Sequence, residues 1–176
     1  MVHHAHAAAE ECELCGAPAS GYDRHVRFKL PDPVLAMPGQ HRTPGSWLSH
    51  PDDPNASVMM QVPGLGAFVR VLLRVHLDNG GAVTYGTWLG IGPEDLQRAF
   101  ALWWSPEYAS LRLFGALANE VVPGVLGSAV EATVLDPDQT PYVTGSDDPR
   151  VRTRLLDPGR AGGTAPTPHG PGARPA

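Results

Sequence analysis

The clearest signal along the chain is a run of strict alternation. From Phe68 to Leu77 the apolar residues Val69, Val71, Leu73, Val75 and Leu77 share one face, while Arg70, Arg74 and His76 stand around Leu72 on the other. That pattern predicts a strand with one face in the core and the second in water or against a partner. Asp78-Asn79-Gly80-Gly81 follows, residues that tolerate positive φ and so favour a hairpin turn. Ala82–Ile91 then returns as the partner strand, with Val83, Tyr85, Thr87, Leu89 and Ile91 in register. An earlier strand is expected over Ser57–Val62, joined to this hairpin by the Pro63-Gly64-Leu65-Gly66 turn.

At Gly92 the period changes. Pro93 suits a first helical position, Glu94 and Asp95 favour the positive end of the dipole, and Leu96, Ala99, Phe100 and Trp103 form a stripe at helical spacing. The helix is expected to end before Pro106 and to lie across the apolar face of the hairpin. Residues 111–122 read as strand or short helix, with a loop at Pro123-Gly124. Gly127–Leu135 reads as a strand, and Gln139–Val143 adds a short one. Prolines at 31, 33, 38, 44, 51 and 54 make residues 21–56 a surface loop with short turns. The fold class expected is α+β: an antiparallel sheet packed by one main amphipathic helix, with an N-terminal Cys-x-x-Cys knuckle.

Composition sets the limits of this unit. The 176 residues fit one domain. Residues 1–9 read as disordered, residues 10–156 as a single domain with the knuckle at 10–28, and residues 157–176 as a disordered Gly/Pro-rich tail without a large apolar side chain. The formal charge is −5, with 13 basic against 18 acidic residues, which argues against general nucleic-acid binding. No segment approaches the roughly 20 apolar residues a membrane span needs. The start, MVHHAHAAAEE, lacks the basic and apolar regions of a secretion signal. Two cysteines three positions apart make a poor disulfide framework, so the expected location is the cytoplasm.

Candidate chemistry centres on Cys12 and Cys15. Two thiolates on one knuckle suit tetrahedral zinc, with His25 the tentative third ligand and His41 or His50 as further candidates. A structural zinc site, a vestigial reduced pair and a redox dithiol all remain open at this point. A second candidate is a binding face formed by Arg70, Arg74 and His76 with Trp104, since Arg pairs with carboxylates in bidentate fashion; a solvated face is the plainer reading. Trp88 and Trp103 read as core. No nucleophile elbow, dinucleotide loop or paired-carboxylate spacing is present in the sequence.

Four stretches in order resemble a known bacterial family. They are Cys12-x-x-Cys15-Gly16, then Phe68-Val69-Arg70, then Tyr85-Gly86-Thr87-Trp88-Leu89 with Gly92-Pro93-Glu94-Asp95-Leu96, and last Phe114-Gly115-Ala116-Leu117-Ala118-Asn119-Glu120. Together they resemble the uncharacterised family domain of unknown function 2199, with this chain a diverged member. The resemblance implies a further cysteine where Ser57-Val58-Met59-Met60 stands, a Trp in place of Ala116, and His-Pro-Leu in place of Asp148-Pro149-Arg150. It implies a fold and no established activity. The expected function is a non-enzymatic binding or regulatory module with another protein as partner. The alternatives are a small metal-dependent enzyme built on Cys12, Cys15 and one His, or a degenerate paralogue that kept only the fold.

Overall fold

In the computed structural model, residues 23–76 and 81–156 are described. Eight strands form one sheet: β1 (Asp23–Arg27), β2 (Trp47–Leu48), β3 (Met59–Val62), β4 (Gly66–His76), β5 (Ala82–Ile91), β6 (Arg112–Leu117), β7 (Ala129–Thr133) and β8 (Tyr142–Gly145). Three short α-helices accompany them: α1 (Asp32–Leu35), α2 (Pro93–Leu102) and α3 (Pro149–Val151), the last running into a π-helical turn over Arg152–Leu156. Each α-helix begins with a proline in its first two positions, where a missing N–H costs nothing.

The β4–β5 hairpin is the spine. Its ten register pairs run from Ala67↔Ile91 to His76↔Ala82. From β5 the sheet continues through β6, β7 and β8, and β8 returns to β4, so five strands close into a barrel-like ring. The closures are narrow. β5 meets β6 at Leu89↔Leu117 and Gly90↔Ala116, and β8 meets β4 at Leu72↔Tyr142, where the Leu72 N–H donates to the Pro141 carbonyl at 2.8 Å. β3 and β2 extend the sheet beyond the first half of β4.

The class is α+β, but the sheet is mixed rather than antiparallel. β6 covers only the last part of β5's outer edge, which leaves Ala82–Gly86 open on that side. β1 fills the gap in parallel, pairing Asp23↔Ala82 through Arg27↔Gly86. β8 is also parallel to β4. The expected loop over 21–56 is likewise corrected: it contains β1, α1 and β2. Its prolines stand at the start of α1 or in turns between the elements and do not exclude them. Cys12, Cys15, most of the expected knuckle, the hairpin turn at 77–80 and the tail from 157 lie outside the described residues. Among the described residues no helix is long and apolar enough to cross a membrane.

Alternation along β4 builds two cores. Val69, Val71, Leu73 and Val75 point into the ring with Leu89, Leu113, Leu117, Val130, Ala132 and Val143. Leu96 and Ala99 of α2 close this core, as the helical stripe predicts. On the opposite face Phe68 and Trp88 pack with Leu30, Val34, Leu48, Met60 and Val62. The second face of β4 is therefore not uniformly solvated. Phe68 and Arg70 are covered by the segments flanking α1 and β3, while Arg74 and His76 at the far end are exposed.

Candidate functional site

Arg70 is the most deeply buried charged residue described, with 2% of its surface exposed. Its guanidinium lies 4.3 Å from the Trp88 ring centroid, a cation–π contact across the β4–β5 pair Arg70↔Trp88. Every guanidinium N–H points to a backbone carbonyl. Nε donates to Ser57 at 3.0 Å. One terminal nitrogen donates to Phe28 at 2.7 Å and Gly86 at 3.3 Å, and the other to Lys29 and Asn55, each at 3.5 Å. The Trp88 indole N–H donates to the same Phe28 carbonyl at 3.2 Å. Arg70 thus fastens β1's exit and the 55–57 turn to the hairpin. Its N–H groups are committed, but dipoles alone meet its charge.

Arg27 stands beside it. The register Arg27↔Gly86 puts its side chain on the face that Arg70 occupies. Its Nε is buried without a hydrogen-bond partner. Burial pulls the proton affinity of Arg27 down, and the field of Asp53 offsets part of that fall. Burial first, and the neighbouring Arg27 charge second, bring Arg70 down to about 9. All five N–H groups of Arg70 donate, and a neutral guanidine has only four, so the ring of carbonyls favours the charged form. Among the described residues neither guanidinium forms an ion pair with a carboxylate.

Both arginines line a cleft of about 60 Å³. Thr84 and Gly86 of β5 and Leu72 of β4 form part of its lining with His25, Gln139 and Thr140. The volume suits a few waters or one carboxylate- or phosphate-sized group, since a water needs about 10–15 Å³ by this measure. Two like charges in a concave, partly desolvated place, with the field of Asp53 reaching Arg27 but no ion pair to either guanidinium among the described residues, make an anion-attracting site.

A second polar cluster lies around Asn119. Asn119 is fully buried. Its Oδ1 accepts from the Thr87 hydroxyl at 3.1 Å and the Trp88 N–H at 3.0 Å. Its Nδ2 donates to the Leu30 carbonyl at 2.9 Å and to Asp32 Oδ1 at 2.8 Å. Asp32 in turn accepts the Glu120 N–H at 2.7 Å. This cluster ties the segment after β1 to β5 and to the end of β6.

The residues proposed from sequence are dispersed. Arg70 and His25 line the same cleft. Arg74 and His76 line a different, open hollow with Leu135, Tyr142 and Leu156. Trp104 sits past the end of α2, 74% exposed. Trp88 is core, and Trp103 is half-buried against Tyr108 at a ring separation of 4.9 Å. Among the described residues no three His, Cys, Asp or Glu side chains stand together as a metal site. Arg27 and Asn119 are the contributors that sequence reading misses. Asn119 lies in the segment 114–120 quoted for the family resemblance, the one signal that pointed near it.

Residues 11–151 match the sequence profile of a family described as an uncharacterized protein conserved in bacteria, domain of unknown function 2199. The chain belongs to this family. The match spans β1 through α3, so the cleft, the Asn119 cluster and the closed ring all lie within the family's domain. No curated protein and no solved structure matches the chain. Membership of domain of unknown function 2199 brings no named activity, and the function is argued from the cleft itself.

Proposed function

We propose that the protein is a non-enzymatic binding module that takes a small anionic group, a carboxylate or a phosphate, in the Arg27–Arg70 cleft. The observation that carries this reading is the pair of neighbouring guanidinium groups, one with a buried Nε lacking a partner, beside a cavity and without a carboxylate in ion-pair reach among the described residues. An uncompensated buried charge is costly, and an anion in the cleft relieves that cost for both arginines. Arg70 contributes field, since its N–H groups are bound to carbonyls; Arg27 contributes the uncommitted donor.

The test is titration of the full chain with inorganic phosphate and with acetate, each against sodium chloride at matched ionic strength. Amide resonances of residues 25–27, 84–86 and 139–140 are followed by NMR. Saturable shifts with one of the anions, absent in Arg27→Gln, support the module. Shifts that track ionic strength alone, or persist undiminished in Arg27→Gln, reject it.

Zinc held by Cys12, Cys15 and His25 is the second reading, and it rests on the Cys-x-x-Cys spacing of the sequence. Metal analysis of the purified chain and of Cys12→Ser decides it: about one zinc per chain, lost in the variant, supports the site. Metal-free folded protein rejects it.

A further inference from the structure

Three aromatic rings stand in a row on the outside of the molecule. Trp47 of β2 meets Phe100 of α2 edge-to-face, with centroids 5.6 Å apart and planes at 86°. Phe100 meets Trp104 in the same way, at 5.7 Å and 85°. They are 38%, 46% and 74% exposed. Phe100 belongs to the stripe expected in the core, yet only Leu96 and Ala99 of that stripe are buried within α2. A contiguous run of large exposed rings on a small protein marks a contact surface, and perpendicular rings leave ledges between them rather than a flat patch.

The composition of residues 157–176 says what fits there. That segment has no large apolar side chain; its apolar rings are the prolines, with Pro166, Pro168 and Pro171 spaced over six residues. A proline-rich stretch favours the polyproline II conformation, and such segments are recognised by prolyl rings seated between aromatic side chains, with little ordering entropy left to lose. The segment carries Arg160 and Arg174 against Asp157, on a chain whose overall formal charge is −5, so its charge also favours the body. Length permits the contact. The described chain ends at Leu156, and the intervening residues 157–165 span up to about 30 Å when extended as polyproline II. Leu156 lies beside Arg74, and the seven residues of β4 from there back to Ala67, which pairs with Gln61 and through it with Trp47, span about 23 Å.

We propose that the Pro166–Pro171 stretch of the same chain docks on the Trp47–Phe100–Trp104 ledge. The surface is thereby self-covered, and a partner with a stronger proline-rich motif must displace the tail to reach it.

The experiment uses the full chain and the variant Pro166→Gly/Pro168→Gly/Pro171→Gly, whose changes lie outside the packed core. The indole N–H resonances are assigned with Trp47→Phe and Trp104→Phe. The expected result is a shift of the Trp47 and Trp104 indole signals in the proline variant, with that of buried Trp88 unmoved, and greater quenching of the fluorescence by acrylamide. Unmoved Trp47 and Trp104 signals overturn the proposal. So does a shift that disappears on dilution while sedimentation shows a dimer dissociating, since the occupant is then a second copy.

Discussion

A buried guanidinium is tolerated only when each of its N–H groups finds an acceptor, and Arg70 meets that condition entirely with main-chain carbonyls from three separate segments. The solution is specific to arginine. A lysine offers three donors on a compact head, so Arg70→Lys leaves carbonyls at Ser57, Phe28 or Asn55 without a partner and weakens the stacking on Trp88. The expected loss is about 3 kcal/mol in the urea midpoint analysis, with the slope unchanged. The alternation of β4 placed Arg70 on the correct face but gave it the wrong environment. Period-2 patterning reports which way a side chain points. It does not report what later covers that face, and here the cover is the proline-rich stretch 28–57, which has no periodicity to read. Arg27 was invisible for the same reason: its strand, DRHVR, has a single apolar residue, and that residue, Val26, is exposed.

Elements that bury their own stripe were legible, and elements that exist only through a partner were not. β4, β5 and α2 follow from alternation, turn residues and a helical stripe. β2, two residues long, owes its extended form to the edge it pairs with, whereas the short strand expected at Gln139–Val143 overlaps β8, displaced toward the C-terminus. α3 is held largely by one side chain. Asp148 caps it by accepting the Arg150 N–H, forms an ion pair with the Arg150 guanidinium at 2.7 Å, and accepts the Ser128 hydroxyl at 2.6 Å just before β7. The Arg150 side chain first, then the Ser128 hydroxyl and the Arg150 amide, hold its carboxyl well below the usual carboxylate range. A depressed folded-state value contributes stability that is present above the unfolded value near pH 4 and lost as pH falls through the folded one. Asp148→Asn should therefore lower the urea midpoint at pH 7 and flatten the acid side of the stability profile below about pH 4, measured by equilibrium unfolding across that range. An unchanged acid limb would show that the carboxylate contributes nothing to α3.

At the scale of the molecule, closure of the ring depends on backbone proximity more than on side chains. The family-like segment Phe114–Glu120 supplies this. A Cβ at Gly115 would overlap the Gly90 carbonyl oxygen and press on Leu89 and Ile91, so β6 can approach β5 only with glycine there. Gly115→Ala is expected to cost about 1–3 kcal/mol in equilibrium unfolding, with the Ala118 amide, which donates to the Trp88 carbonyl across the closure, losing hydrogen-exchange protection first. Nothing in the pattern of apolar residues shows that a sheet closes. The two closures rest on two register pairs and one, too few to leave a trace in sequence.

The parallel docking of β1 also orders events in time. The hairpin partners of β4 and β5 are neighbours in the chain, whereas β1 needs a strand 59 residues further on, and the Leu30 carbonyl waits for Asn119, 89 residues away. The first described strand is thus seated only after the β4–β5 hairpin exists, because closing so long a loop gains nothing until its destination is there. During synthesis Val26 and Phe28 stay unpaired until Tyr85 and Gly86 have emerged, and the Leu30 carbonyl waits longer still, until Asn119 has, so the segment that carries Arg27 is locked in place well after it is made.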